Sequence, residues 1–182
     1  MKPFKMRRDD RIKIMTEVPN TQVLELNVDI NGETWSGSVP APETLLEFIR
    51  RRLGLTGTKR SCESQVCGAS TVLVDNQPIS SCNYLTCEAN GKKLLTIEGL
   101  AQGDRLDPLQ EAFLRNVGAQ CVFCTPGQIM VAKALLLHNP APTRKEIAEW
   151  LSGNICRCGA YPAIVISVQE AAIELAAHKS DR

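Results

Sequence analysis

The sequence has almost no excess of charge: 21 lysines and arginines stand against 20 aspartates and glutamates, a formal net charge of +1. Without a field of one sign nothing recruits nucleic acid or an anionic membrane, and neither is expected as a partner. Long hydrophobic runs are missing too. Lys, Gln or Asn interrupts every apolar stretch before it reaches the roughly 18 to 20 residues of a spanning helix, so no membrane insertion is expected. Arg7 and Arg8 are followed by Asp9 and Asp10 and by no apolar segment, which does not continue a twin-arginine export signal. The expected location is therefore cytoplasmic. Also absent are a Ser–His–Asp set, a carboxylate pair and a phosphate-binding glycine loop in its strand and helix context. No catalytic residue is assigned, and substrate chemistry is expected on another polypeptide.

Cysteine, by contrast, is plentiful: eight in 182 residues. In a small secreted domain that would mean disulfides, whereas in a cytosolic one it points to metal or redox chemistry. Cys62 and Cys67, Cys121 and Cys124, and Cys156 and Cys158 sit in tight pairs within glycine-containing loops. Such close pairs are poorly placed to staple long loops, and metal ligation is the better reading.

Residues 1–20 carry six basic side chains and no periodic apolar face, which reads as an extended arm. From Val23 to Ile30 the chain alternates, with Leu24, Leu26, Val28 and Ile30 on one side. Asn31-Gly32 then supplies a hairpin turn before Glu33 to Val39. Pro42 is expected to open a helix with an apolar stripe of Leu45, Leu46, Phe48, Ile49 and Leu53, closed by Gly54. Strands are expected at Thr71–Asp75, Ile79–Cys82 and Leu94–Glu98, making a small mixed sheet packed on one helix.

Beyond Pro108 alternation gives way to helical patterns over Leu109–Val117, Pro126–His138, Thr143–Leu151 and Pro162–Ala177. Thr125-Pro126 reads as a cap and first-turn proline, and Thr143 with Glu146 as a capping box. The expected fold class is α+β, with an arm over 1–20, a first domain over 21–100 and a helical domain over 101–182.

Cys62-Glu-Ser-Gln-Val-Cys67-Gly-Ala-Ser70, with Cys82 further on, matches the C-x4-C-x2-C…C spacing of plant-type ferredoxins except at its third position, which is Ser70. Main-chain N–H groups of such a loop can point at the sulfurs and tune a cluster's potential. The other constellation is Cys121-Val-Phe-Cys124 with Cys156-Arg-Cys158. Four thiolates of this kind suit zinc or iron–sulfur equally well, and spacing alone leaves both open.

Longer blocks reach further: Gly57-Thr-Lys, Cys67-Gly-Ala-Ser-Thr-Val-Leu-Val-Asp75, Thr96-Ile-Glu-Gly-Leu100, Pro108-Leu-Gln-Glu-Ala-Phe113, Gln120-Cys-Val-Phe-Cys-Thr-Pro-Gly127 and Gly153-Asn-Ile-Cys-Arg-Cys158. In these the chain resembles, from about Val23 to Ala176, the iron–sulfur subunit of the xanthine dehydrogenase family of molybdenum hydroxylases. The resemblance implies a β-grasp, plant-ferredoxin-like domain holding one [2Fe–2S] cluster, then a four-helix-bundle domain holding a second. It implies Cys62, Cys67, Cys82 and the position of Ser70 as ligands of the first cluster, and Cys121, Cys124, Cys156 and Cys158 as ligands of the second. Gln120 and Cys158 would lie at the molybdopterin of a large partner subunit. Electrons would pass from molybdenum through the helical-domain cluster and then the plant-type one to FAD, on a medium subunit, or to another acceptor. The substrate would be an N-heterocycle, a purine or an aldehyde.

The chain departs from the family pattern in three places: Ser70 for cysteine, Val122 for glycine, and Gly159-Ala160 for Thr-Gly. The last two read as loop variation. For Ser70 there are three outcomes: ligation through oxygen, replacement by Cys87 or another thiol, or loss of the cluster. Oxygen ligation is favoured, because Ser70 keeps the loop position and iron acidifies a bound hydroxyl. Cys87 otherwise reads as a small buried hydrophobe, and His138 and His178 as helix-end residues without metal partners. Arg50, Arg51 and Arg52 read as a solvated face, and Trp35, Trp150 and Phe123 as core. A free-standing ferredoxin-like carrier and a structural zinc module are the rival readings.

Overall fold

The structure, a computed structural model, describes residues 22–180. The expected arm over 1–20 falls outside the described residues, as does the His178 side chain.

Strands β1 (Val23–Ile30) and β2 (Glu33–Pro40) form an antiparallel hairpin in which Val28 faces Trp35 and Ile30 faces Glu33. Asn31 and Gly32 both take positive φ (55° and 90°), the two-residue turn whose twist matches its strands. Alternation along β1 buries Leu26, Val28 and Ile30. After the hairpin, Thr44 and not Pro42 caps the helix, accepting the Glu47 N–H at 3.3 Å. One α-turn, α1 (Leu45–Glu47), widens at once into a π-helical stretch over Phe48–Arg52. Gly54 follows with φ 69°, the left-handed exit expected of it.

Strands β3 (Thr71–Val74), β4 (Gln77–Ser80) and β5 (Lys93–Leu95) complete a five-stranded sheet of order β2-β1-β5-β3-β4. Only β1 and β5 run parallel. Pro78 lies in edge strand β4, where its missing N–H is tolerated. The last two strands end earlier than their sequence patterns suggest. The chain turns into 3-10 geometry at Ser81–Asn83 and at Ile97–Gly99, so Cys82 and Glu98 lie on turns.

Four helices follow: α2 (Pro108–Arg115), α3 (Thr125–His138), α4 (Arg144–Trp150) and α5 (Tyr161–Ser180). Asp107 with Gln110, and Thr143 with Glu146, form capping boxes on α2 and α4. For α3 the sequence expectation fails by one residue: Cys124 is the N-cap, and Thr125 is already helical.

Two apolar cores result. One joins the sheet to α1 through Leu26, Val28, Val39, Leu45, Phe48, Val72 and Leu94, with Trp35 meeting Phe48 edge-on at 4.8 Å. The other fills the space among the four helices around Leu109, Phe113, Met130, Ile147, Ile164 and Val168. All four residues of β3 are buried because the strand lies between the cores: Val72 and Val74 belong to the first, Leu73 to the second. This sandwiched strand carries the end of the first cysteine loop onto the helices. Phe123 (47 % exposed) and Trp150 are not core residues as expected; Trp150 lies at the surface, stacked on His138 with ring centroids 5.7 Å apart.

Candidate metal centres and their junction

The first cysteine loop runs from Leu55 to Ser70. Glu63, Gln65 and Gly68 all take positive φ (56°, 65° and 69°), curling the main chain tightly. The Ser64 N–H donates to Cys62 Sγ at 3.4 Å. That bond, and next the adjoining Cys67 thiol, lower the Cys62 pKa from 9.0 to about 6. A cysteine poised as thiolate beside a second thiol is what a metal requires of its ligands.

Arg50 holds this loop from outside, donating Nη1 to the carbonyls of Thr56 and Thr58 at 2.8 and 2.7 Å. The basic run is therefore more than a solvated face: Arg50 clamps the loop, and Arg52 binds Glu43. Lys59 N–H reaches the Ala69 carbonyl at 3.3 Å, closing the loop across its base, where the Thr58 hydroxyl is buried without a partner. The Ser70 carbonyl accepts both the N–H (3.2 Å) and the hydroxyl (2.6 Å) of Ser81, which fixes Ser70 beside the turn that bears buried Cys82.

In the second constellation the four cysteines meet as two pairs. The thiols of Cys121 and Cys158 lie close enough to shift each other's ionisation, as do those of Cys124 and Cys156. The Phe123 N–H, and then the Cys158 thiol, lower the Cys121 pKa. Burial opposes ionisation of Cys156, but the N–H groups of Ala160, Cys158 and Gly159 and the Cys124 thiol outweigh it. For Cys124 burial leads, followed by the neighbouring cysteine charges, and its pKa rises to about 12. At Cys158 the Cys121 N–H favours the thiolate, yet the Cys121 thiol and burial prevail and raise it. Four mutually repelling thiolates thus stay partly protonated until a cation neutralises them.

Among the described residues no three His, Cys, Asp or Glu side chains converge on the point a single metal ion would occupy. Gln120, Cys121 and Cys158 are exposed, Cys156 is buried, and the apolar side chains of Val122, Phe123, Ile155 and Tyr161 stand exposed around them. Val122 takes φ 58°, a conformation in which a β-branched side chain is strained.

The two constellations are joined directly. Ile155 N–H, next to Cys156, donates to the Cys67 carbonyl at 3.0 Å. Asn154 Nδ2 donates to the Gly68 carbonyl at 3.1 Å, and Gln128 Nε2 to the Asn154 carbonyl at 3.0 Å. Gly127, on the first turn of α3, lies so close that a Cβ there would stand 2.2 Å from the Gly68 oxygen. Cys87 stands elsewhere: its turn is tied to the Glu43 carbonyl through Thr86 and to the Asn27 N–H through Asn90.

Comparison with known proteins agrees with this two-part layout. Residues 28–93 match the 2Fe-2S iron-sulfur cluster binding domain, and residues 96–169 match the [2Fe-2S] binding domain. The nicotine 6-hydroxylase small subunit of Paenarthrobacter nicotinovorans is 44 % identical over 157 residues, covering 86 % of this chain and 94 % of that one. This chain belongs to the iron–sulfur subunits of the molybdenum hydroxylases. The same subunit type includes the nicotinate dehydrogenase small FeS subunit of Eubacterium barkeri, 39 % identical over 81 % of this chain and 94 % of that one. In structure, the iron–sulfur subunit resembles quinoline 2-oxidoreductase from Pseudomonas putida 86 with a TM-score of 0.82 and 40 % identity, over 87 % of this chain and 98 % of that chain. Like its relatives, it is part of an oxidoreductase and has two [2Fe–2S]-binding domains.

Proposed function

We propose that this subunit carries electrons, one at a time, between the molybdopterin centre of a large partner subunit and FAD on a medium subunit or another acceptor, during hydroxylation of an N-heterocycle, a purine or an aldehyde. The observation that carries this reading is the hydrogen bond from Ile155 to Cys67, which links the two cysteine loops without an intervening side chain. When bound, each [2Fe–2S] group supplies a site that takes up and releases a single electron. The fold we read as a β-grasp domain over 21–100 and a four-helix bundle over 101–182, supported by the two apolar cores and the two family matches.

The donor sets fit such groups. Cys121, Cys124, Cys156 and Cys158 would hold the helical-domain group. Their repulsion as thiolates calls for a cationic iron core, and their meeting in two pairs suits a two-iron core better than a single zinc ion. Cys62, Cys67 and Cys82 would hold the other, with Ser70 at the fourth position. Main-chain N–H groups of Ser64 and Phe123 point at Cys62 and Cys121 and stabilise negative charge on sulfur, a means of setting potential. Exposed Gln120 and Cys158 are the residues we place at the partner's molybdopterin, and exposed Val122, Phe123, Ile155 and Tyr161 form the apolar rim that would seal water out of that contact. None of the helices among the described residues is long and apolar enough to cross a membrane, and we place the complex in the cytoplasm.

Native purification tests this reading. A brown complex containing a larger molybdopterin-binding polypeptide is expected, with two paramagnetic signals after reduction. A colourless chain that carries zinc, or a brown chain that migrates alone, would overturn it in favour of a zinc module or a free carrier.

A further inference from the structure

Ser70 occupies the third position of the first cysteine loop and is 3 % exposed, yet no hydrogen bond among the described residues engages its hydroxyl. Nearby buried hydroxyls behave differently. Thr71 Oγ1 donates to the Gly68 carbonyl at 2.8 Å, Ser81 Oγ to the Ser70 carbonyl at 2.6 Å, and Thr86 Oγ1 to the Glu43 carbonyl at 2.9 Å. The Ser70 hydroxyl thus keeps its bonding capacity unspent inside the loop, whereas Thr58, whose hydroxyl is buried without a partner, stands outside the ligand spacing.

The main chain around Ser70 is held on both sides. Thr71 N–H bonds to the Gly68 carbonyl at 3.3 Å, and Ser81 fixes the Ser70 carbonyl. Ser70 is thereby fastened between Cys67 and Cys82, with its side chain as the free element. Cys87, the rival fourth ligand, sits on a turn whose bonds run to Glu43 and Asn27.

We propose that Ser70 binds an iron of the first cluster through Oγ, giving a centre with three thiolates and one alkoxide; this rests on the electron-relay reading above. The Fe–O bond forms as the O–H bond breaks, the proton passes to solvent, and no electron changes hands. A bound iron makes that loss feasible by lowering the hydroxyl's pKa, as it does for coordinated water. Alkoxide is a harder donor than thiolate and favours ferric over ferrous iron. The Ser70 centre is then more reducing than the same loop would be with a fourth thiolate.

The test uses the assembled complex: iron analysis and a paramagnetic-resonance redox titration of the natural chain, Ser70→Cys, Ser70→Ala and Cys87→Ala. We expect about four irons per chain in the natural protein. Ser70→Cys should keep them and raise the midpoint potential of one signal while leaving the other in place. Ser70→Ala should lose about half the iron and one signal, and Cys87→Ala should match the natural protein. Two signals at unchanged potentials in Ser70→Ala, or an unshifted titration in Ser70→Cys should Ser70→Ala fail to assemble, would overturn the ligation and leave the relay standing. Loss of a signal in Cys87→Ala would do the same. A natural protein with about two irons and one signal would overturn both the ligation and the two-centre relay.

Discussion

Ile155 and Cys67 share a main-chain hydrogen bond of 3.0 Å, the shortest bonded connection between the two cysteine loops that the structure shows. Asn154 is extended (φ −108°, ψ 112°), the conformation a following proline requires, so Ile155→Pro removes the N–H while leaving Asn154 in its own conformation. The variant should retain its iron, lose about 1–3 kcal/mol of stability to the orphaned carbonyl, and pass electrons between the centres more slowly. Rapid-mixing kinetics with a substrate as reductant gives the rate. A rate equal to that of the natural protein would show that this bond is not on the path.

Gly127 should tolerate no side chain. A Cβ would meet the Gly68 oxygen at 2.2 Å, a main-chain atom that cannot swing aside. Gly127→Ala should cost about 1–3 kcal/mol, measured by denaturant unfolding, and should weaken iron retention in the first loop as Gly68 is displaced. Unchanged stability would mean that α3 can shift away freely.

Much of this architecture is legible in the sequence, and what is not has physical causes. Strand β1 reads correctly because alternation buries Leu26, Val28 and Ile30 on one face, and the Thr143–Glu146 box is a local device that needs no tertiary context. The helix start at Thr44 misleads because Pro42 is an equally good signal two residues earlier. Both cysteine sets are visible as spacing, and in the fold Cys67 adjoins Cys62, Cys158 adjoins Cys121 and Cys156 adjoins Cys124. The junction is invisible: Asn154 and Gly68 stand 86 residues apart, and nothing local to either marks them as partners. Arg50 is misread for a related reason, since a charge run looks solvated until the folded loop brings its carbonyls within reach. Phe123 reads as core because aromatic residues usually are, whereas its place in an exposed cysteine loop keeps it at the surface.

Val122 offers a route to a steadier second loop. Its φ of 58° suits glycine, and a β-branched residue there is strained. Val122→Gly should relieve about 1 kcal/mol and raise the thermal midpoint of the complex, while trimming the exposed apolar rim by one side chain. A lowered midpoint would show that the contribution of Val122 to the subunit contact exceeds the strain.

Acid should loosen α4 before its neighbours. The Glu146 carboxylate accepts the N–H and hydroxyl of Thr143, both at 2.7 Å, and these bonds hold its pKa below the ordinary 4.5. A depressed folded-state pKa stabilises the helix fully above the unfolded value, and the stabilisation disappears as pH falls through the folded one. Protection of the α4 amides against hydrogen exchange should therefore drop on acidification, and Glu146→Gln should flatten that dependence. Equal pH profiles for the two proteins would contradict it.

The bond from Asn154 to Gly68 also has a bearing on biosynthesis. A ribosome delivers the first cysteine loop long before it delivers Asn154, Ile155 and Cys156, so the Cys67 carbonyl must wait in water for a donor not yet translated, while the Gly68 carbonyl has Thr71 at once and gains Asn154 later. A nascent chain halted ahead of Asn154 has three cysteines of one set and two of the other, and its first loop is held only from its own side, by Arg50, Lys59 and Ser81. The last stretch to be made therefore completes the surroundings of the first.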